Sequence, residues 1–179
     1  GLLRGELPHA LERGIRLHRA IDGFTDRHPV IGKLRLELPP HLRRYAGILV
    51  DLSFDHYLCL HWHTFTAMPR DDFNSQVYRT LQSQEHTLSV KARQMLSRLV
   101  QYDILGRYEH WETVSATAER IGERFTRHNP FIGIEPILEP LRPSLETAFP
   151  AFYPHLPMFS AEHVTPPERK SGLWGRRLV

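Results

Sequence analysis

The sequence predicts an all-α protein, built as a single helical domain of about six to eight helices. Hydrophobic residues recur at helical spacing along most of the chain, and no Asn-Gly or Asp-Gly turn joins two alternating β-rich runs. The length of 179 residues, with 41% hydrophobic and 24% charged residues, is typical of one globular domain. We expect this domain to cover residues 1–162, followed by a basic, loosely ordered tail at 163–179.

Prolines mark where the predicted helices begin and end. The first helix begins near Pro8 and ends before Pro29, because Pro29 disfavours helical geometry in His28. Further helices are predicted at 30–38, 41–66, 72–86, 89–105, 109–127 and 143–149. Nine of the 14 prolines lie after residue 129, which predicts short helices in that part of the chain.

The charge and cysteine content exclude several classes of protein. Lysine and arginine number 23 against 20 acidic residues, a mixed charge that does not indicate a nucleic-acid partner. The single cysteine, Cys59, excludes an intramolecular disulfide and fits a reducing compartment. No apolar run approaches the roughly 20 residues that span a bilayer, and no signal peptide is recognisable. We therefore expect a cytoplasmic protein with no membrane or nucleic-acid partner.

A row of polar residues interrupts the apolar side of the first predicted helix. His18 falls within the sector that holds Phe24, and Asp22 and Asp26 continue the row at i, i+4 spacing. Burying an imidazole and a carboxylate costs several kcal/mol unless each finds a charge, a hydrogen bond or a metal. The row is therefore expected to be buried with a partner from another helix.

The helix predicted at 41–66 also carries polar residues that need a partner. It is apolar on almost every side, which predicts a central position. Asp51 and Asp55 nevertheless share one of its faces, and His56 lies beside Asp55. Two carboxylates on a buried helix repel each other unless a cation lies close to both. Together the two helices offer the mixed nitrogen and oxygen donors of a Mn²⁺, Mg²⁺, Fe²⁺ or Zn²⁺ site.

Ion pairs within the domain are the alternative explanation of these acids. Candidate partners are Arg19 or Arg35 for Asp22 and Asp26, and Arg44 for Asp51. On that interpretation the chain is a non-catalytic helical binding module. Glycine-rich phosphate loops, the GxSxG elbow, the HExxH motif and the CxxC motif do not occur, so the mechanisms that they indicate are not supported.

Three motifs carry a resemblance to a known family. They are HRAIDGFTD at 18–26, DLSFDHYL at 51–58 and FYPHL at 152–156. Their order and spacing resemble the bacterial acyl carrier protein phosphodiesterases. The resemblance implies an all-α, HD-domain-like fold related to metal phosphohydrolases. It also implies hydrolysis of the phosphodiester that joins 4'-phosphopantetheine to a serine of holo acyl carrier protein, with Mn²⁺ favoured over Mg²⁺ or Fe²⁺.

The resemblance also guides the assignment of roles to residues. The proposed metal ligands are His18, Asp22, Asp51, Asp55 and His56. Asp26 is expected to orient His18 or Arg19, while Arg19 and Arg124 stabilise the charge on the phosphate. Family members begin with an Asn-aromatic-Leu-Ala-His segment that is absent here. We therefore expect that a natural N-terminal stretch is missing and that the metal site is incomplete.

Holo acyl carrier protein is the partner that the resemblance implies. Because carrier proteins are acidic, electrostatic docking is expected at Arg13, Arg16, Arg43 and Arg44. An HD-like phosphohydrolase of nucleotides or other small phosphodiesters is the alternative enzyme. The sequence leaves the oligomeric state open.

Overall fold

The computed structural model describes the backbone of residues 9–164 and the side chains of residues 12–163. The described residues contain helices, turns and loops and no strand, which confirms the predicted all-α class. Eleven α-helices follow one another between residues 9 and 164: α1 (His9–Arg27), α2 (Pro29–Glu37), α3 (Ala46–Leu60), α4 (Trp62–Phe65), α5 (Arg70–Ser83), α6 (Val90–Gln101), α7 (Ile104–Arg107), α8 (Glu112–Gly122), α9 (Glu135–Leu138), α10 (Arg142–Phe152) and α11 (His155–Val164). Short 3₁₀ turns occupy Arg43–Tyr45, Glu85–Thr87 and Glu139–Leu141. Most of the predicted 163–179 tail lies outside the described residues.

Eight of these helices have nine or more residues, within the predicted range of six to eight. The one-turn helices α4, α7 and α9 were not predicted. The helix predicted at 41–66 is wrong at both ends, because a turn after Pro39 and a 3₁₀ turn precede α3. His61, with φ −102° and ψ 13°, then separates α3 from α4.

Local chemistry accounts for several helix ends. His28 is extended, and its Nδ1 accepts a hydrogen bond from the Val30 N–H at 3.4 Å, which caps α2 ahead of Pro29. Helix α8 ends at Gly122, five residues before the predicted end, and the side chain of Asn129 lies so close there that a Cβ at position 122 would overlap it. That side chain donates to the Glu119 carbonyl at 2.8 Å.

Helix α3 lies at the centre of the described residues, as its apolar sequence predicts. Leu49, Val50 and Phe54 are buried, and α2, α8 and α10 pack around α3. The ring of Phe54 meets that of Phe149 on α10 edge to face, with centroids 5.4 Å apart. This packing fixes which face of α3 remains at the surface.

Helix α1 covers one side of this core and packs against α2, α3 and α11. Its Phe24 ring stacks on Phe159 of α11 at 4.5 Å and lies 5.9 Å from Phe152. Phe152 of the FYPHL motif therefore contributes to packing between α10 and α1, while Tyr153 of the same motif packs against Phe65 of α4 with centroids 4.5 Å apart. Among the described residues, the helices lack the length and apolar character needed to cross a bilayer.

Candidate functional site

Four carboxylates from α1 and α3 are linked electrostatically through Asp51. Burial, with the charges of Asp22 and Asp26, raises the pKa of Asp51 to about 6, against the opposing influence of His18. Burial and the charge of Asp51 raise the pKa of Asp55 to about 7. We call Asp22, Asp26, Asp51 and Asp55 the carboxylate cluster. The fold thus brings the polar rows of the two helices within electrostatic reach of each other.

A small residue on α3 permits this approach. A Cβ at Gly47, in the first turn of α3, would lie 3.5 Å from Oδ1 of Asp26. The end of α1 therefore lies directly over the start of α3. Asp51, one turn further along α3, then lies within electrostatic reach of Asp22, Asp26 and His18 on α1.

The expected burial of the row on α1 is wrong. The side chains of His18, Asp22 and Asp26 are 76%, 50% and 60% exposed. Helix α1 lies at the edge of the fold, and its most buried described residues are Glu12 and Thr25. Asp51 and Asp55 are exposed as whole residues too, but the protein around their carboxylates removes enough water to raise both pKa values.

Few cations balance the carboxylate cluster. Nη2 of Arg35 donates to Oδ1 of Asp26 at 3.4 Å, and Nε2 of His18 lies 3.7 Å from Oδ2 of Asp22. Among the described residues, no basic side chain forms an ion pair with Asp51 or Asp55. The cluster is therefore a surface of concentrated negative charge.

Arg35 is the functional candidate that the motifs did not assign. Its guanidinium reaches the cluster from α2, and its buried Nε has no hydrogen-bond partner among the described residues. Only its candidacy as an ion-pair partner of Asp26 singled it out in the sequence. It has donor capacity left for an anion, since one long hydrogen bond occupies a group with five N–H donors.

His56 lies apart from the carboxylate cluster. It is 3% exposed, and its Nδ1 lies 2.8 Å from the carbonyl oxygen of Tyr108. Its pKa is lowered mainly by burial, with further influence from Arg142 but not from Asp51 or Asp55. Since Nδ1 meets a carbonyl oxygen, Nε2 keeps its lone pair, and it has no partner among the described residues. A buried, unpaired imidazole nitrogen of this kind suits a ligand, but at a separate face of α3.

The two arginines assigned to the phosphate are exposed. Arg19 lies on the outer part of α1, and Arg124 follows the end of α8. Within residues 12–163 neither side chain forms a hydrogen bond or ion pair with the carboxylate cluster. The same residues contain no group of three His, Cys, Asp or Glu side chains arranged to hold a metal ion.

Comparison with known proteins identifies the family. The family model described as acyl carrier protein phosphodiesterase matches residues 2–156. The chain belongs to the acyl carrier protein phosphodiesterase family. This confirms the resemblance drawn from the three motifs. The HD-like relationship stays a prediction, since no solved structure matches the chain.

Curated relatives carry the same name. The protein named acyl carrier protein phosphodiesterase from Pectobacterium atrosepticum is 37% identical over 59 residues, which cover 33% of this chain and 31% of the relative. The relative from Klebsiella pneumoniae strain 342 is 35% identical over 71 residues, which cover 39% of this chain and 37% of the relative. The relative from Escherichia coli O6:H1 is 27% identical over 155 residues, 83% and 78% of the two chains. The first two matches thus span about a third of the relatives' length.

Proposed function

We propose that this chain is a metal-dependent phosphodiesterase of the cytoplasm that acts on holo acyl carrier protein. It would hydrolyse the ester between 4'-phosphopantetheine and the carrier serine, releasing apo carrier protein and free 4'-phosphopantetheine. Family membership supports the substrate. The observation that carries the metal-dependent chemistry is the grouping of Asp22, Asp26 and Asp55 around Asp51, with the raised pKa values of Asp51 and Asp55.

The donors of the cluster suit a divalent cation. Carboxylate oxygens with one imidazole are typical ligands of Mn²⁺, Mg²⁺ and Fe²⁺. Asp51 and Asp55, with His18 and Asp22, would hold the ion, after rotation of their side chains from the positions described. Such an ion supplies a Lewis acid at the phosphoryl oxygen and a more acidic water. Since protons compete for the same carboxylates, affinity for the ion should fall as the pH drops below about 7.

Arg35 would bind the phosphodiester at the edge of the cluster. Asp26 holds one side of its guanidinium, and the free N–H groups can donate to the phosphoryl oxygens. That arrangement would stabilise the charge that develops on phosphorus-bound oxygens as the serine oxygen leaves. We favour Arg35 over Arg19 and Arg124 for this role, because only Arg35 contacts the carboxylate cluster.

The proposal is tested by measuring release of 4'-phosphopantetheine from holo carrier protein. The assay uses Mn²⁺, then excess chelator, then Mn²⁺ again, with nucleotides and small phosphodiesters as parallel substrates. The test variant is Asp51→Asn, and Asp71→Asn on α5 is the matched control, since it removes the same charge from an exposed aspartate outside the cluster.

We expect turnover of holo carrier protein that chelation abolishes and Mn²⁺ restores. Asp51→Asn should lose turnover and metal binding, while Asp71→Asn should keep both. Turnover of nucleotides alone would replace the proposal with a nucleotide phosphohydrolase. A folded wild-type chain that binds carrier protein and metal but turns over none of the substrates would indicate a binding module.

A further inference from the structure

Helix α6 and the residue that follows it carry an exposed line of alternating basic and apolar side chains. Lys91, Met95 and Arg98 lie on α6 at i, i+4 and i+7, within about 60° of one another around the helix, and Tyr102 continues the line directly after the last helical residue. All four are exposed, Met95 by 46% and Tyr102 by 50%. Leu96, by contrast, is 7% exposed and faces the protein. We call the four residues the α6 stripe.

The cations of the α6 stripe are free to bind a partner. Helix α6 contains no acidic residue, and neither Lys91 nor Arg98 forms an ion pair among the described residues. The rival basic surface predicted from the sequence is partly engaged within the fold. Arg16 pairs with Glu12 at 3.0 Å, and Arg43 donates to two backbone carbonyl groups.

We propose that the α6 stripe docks an acidic amphipathic helix of a partner protein. Resting on the function proposed above, this partner is the carrier protein. Lys91 and Arg98 are two helical turns apart, about 10 Å along the axis. A partner helix with carboxylates at the same separation would pair with both cations and place an apolar side chain against Met95.

The apolar half of the α6 stripe decides between classes of partner. A nucleic-acid backbone is bound mainly by charge, and it gains little from an exposed Met95. Methionine and aromatic residues are instead enriched where proteins bind other proteins. The mixture of free cations with Met95 and Tyr102 therefore favours a protein helix.

The test measures the Kd of fluorescently labelled holo carrier protein by anisotropy, using the full chain. Lys91→Glu with Arg98→Glu reverses the stripe, and Arg13→Glu with Arg44→Glu is the matched control, since it changes the net charge equally on the rival surface. Met95→Gln tests the apolar contact without changing charge. Circular dichroism and thermal unfolding verify that every variant is folded.

We expect the stripe reversal to raise Kd at least about tenfold, because it loses two attractions and adds two repulsions. Met95→Gln should raise Kd about threefold, and the control should stay within about twofold. Equal weakening by both double variants, or a larger effect of the control, would overturn the proposal. A wild-type chain that does not bind carrier protein but binds single-stranded DNA would also overturn the proposal.

Binding and turnover separate this inference from the proposed function. Carrier protein that binds at the α6 stripe but is never cleaved refutes the function and leaves the docking surface standing. Cleavage with an unchanged KM in the stripe reversal keeps the function and refutes the docking surface.

Discussion

Replacing Asp55 with asparagine should stabilise the protein at alkaline pH and leave its stability at acidic pH almost unchanged. Burial and the charge of Asp51 raise the pKa of Asp55 from 3.8 to about 7. The folded protein therefore keeps this carboxyl protonated at pH values where the unfolded chain has released the proton. Stability from this group is complete below pH 3.8 and is lost as the pH rises to about 7. The amide of the substituted side chain would carry no charge at any of these pH values.

The size of the effect follows from the same pKa values. At about 1.36 kcal/mol for each pH unit, the difference between 3.8 and about 7 sets an upper limit of about 4 kcal/mol. Asp55 is exposed as a residue, and solvent screens its charge, so we expect about 1–2 kcal/mol at pH 8. For a chain of this length, that corresponds to a rise in Tm of roughly 2–6 °C.

The measurement is urea and thermal unfolding of the wild type and Asp55→Asn at about pH 4 and pH 8, in chelator. Glu162→Gln is the control, because Glu162 is exposed on α11 and has no ion-pair partner among the described residues. A variant that is no more stable than the wild type at pH 8, or equally stabilised at both pH values, would refute the raised pKa of Asp55 and its explanation by burial and the charge of Asp51. The same variant should also lose phosphodiesterase turnover, since stability and activity make opposite demands on this carboxylate.

Three further predictions concern other parts of the fold. Arg35→Ala should lower kcat/KM for phosphopantetheine release about 100-fold, and Arg35→Lys should recover only part of it, because an ammonium lacks the planar fork; full activity of either variant would rule out the phosphate-binding role. Gly122→Ala should lower the free energy of unfolding by about 1–3 kcal/mol, since its Cβ overlaps Asn129, and an unchanged urea midpoint would contradict that overlap. Burial, and to a lesser extent the charge of His155, lowers the pKa of His28, whose Nε2 lies 3.1 Å from Nδ1 of His155. Neutral His28 therefore contributes stability that is present above pH 6.5 and is lost as the pH falls below it. His28→Asn, which can still cap α2, should show a smaller loss of Tm between pH 7 and pH 5 than the wild type, and an equal loss would exclude His28 as the titrating group.

Helix positions were largely predictable because their determinants are local. Proline at position 29 sets the boundary of α1 and α2 through the backbone of its immediate neighbour. The central position of α3 followed from its nearly continuous apolar surface. The boundaries that were wrong depend on contacts outside the helix. Asn129, which reaches back to close α8 at Gly122, is an example.

The burial of the polar row on α1 could not be read from periodicity. A helical wheel shows which residues share a face, but it does not show how deeply that face enters the core. Helices α2, α3 and α11 cover the apolar side of α1 and leave His18 and Asp26 mostly exposed and Asp22 half exposed. The role of His56 was unpredictable for a related reason, because the carbonyl that holds its ring belongs to Tyr108, 52 residues further along the chain.

The amino-acid sequence alone determines the all-α fold, the family motifs, and the spacing that places acidic residues on one face of a helix. Those properties depend on neighbours within about four positions, which the sequence displays directly. Tertiary packing decides that α1 meets α3 at Gly47, that Arg35 reaches Asp26, and that His56 lies apart from Asp51. These contacts and distances join residues that are far apart along the chain. They therefore depend on how α2, α8 and α10 pack around α3.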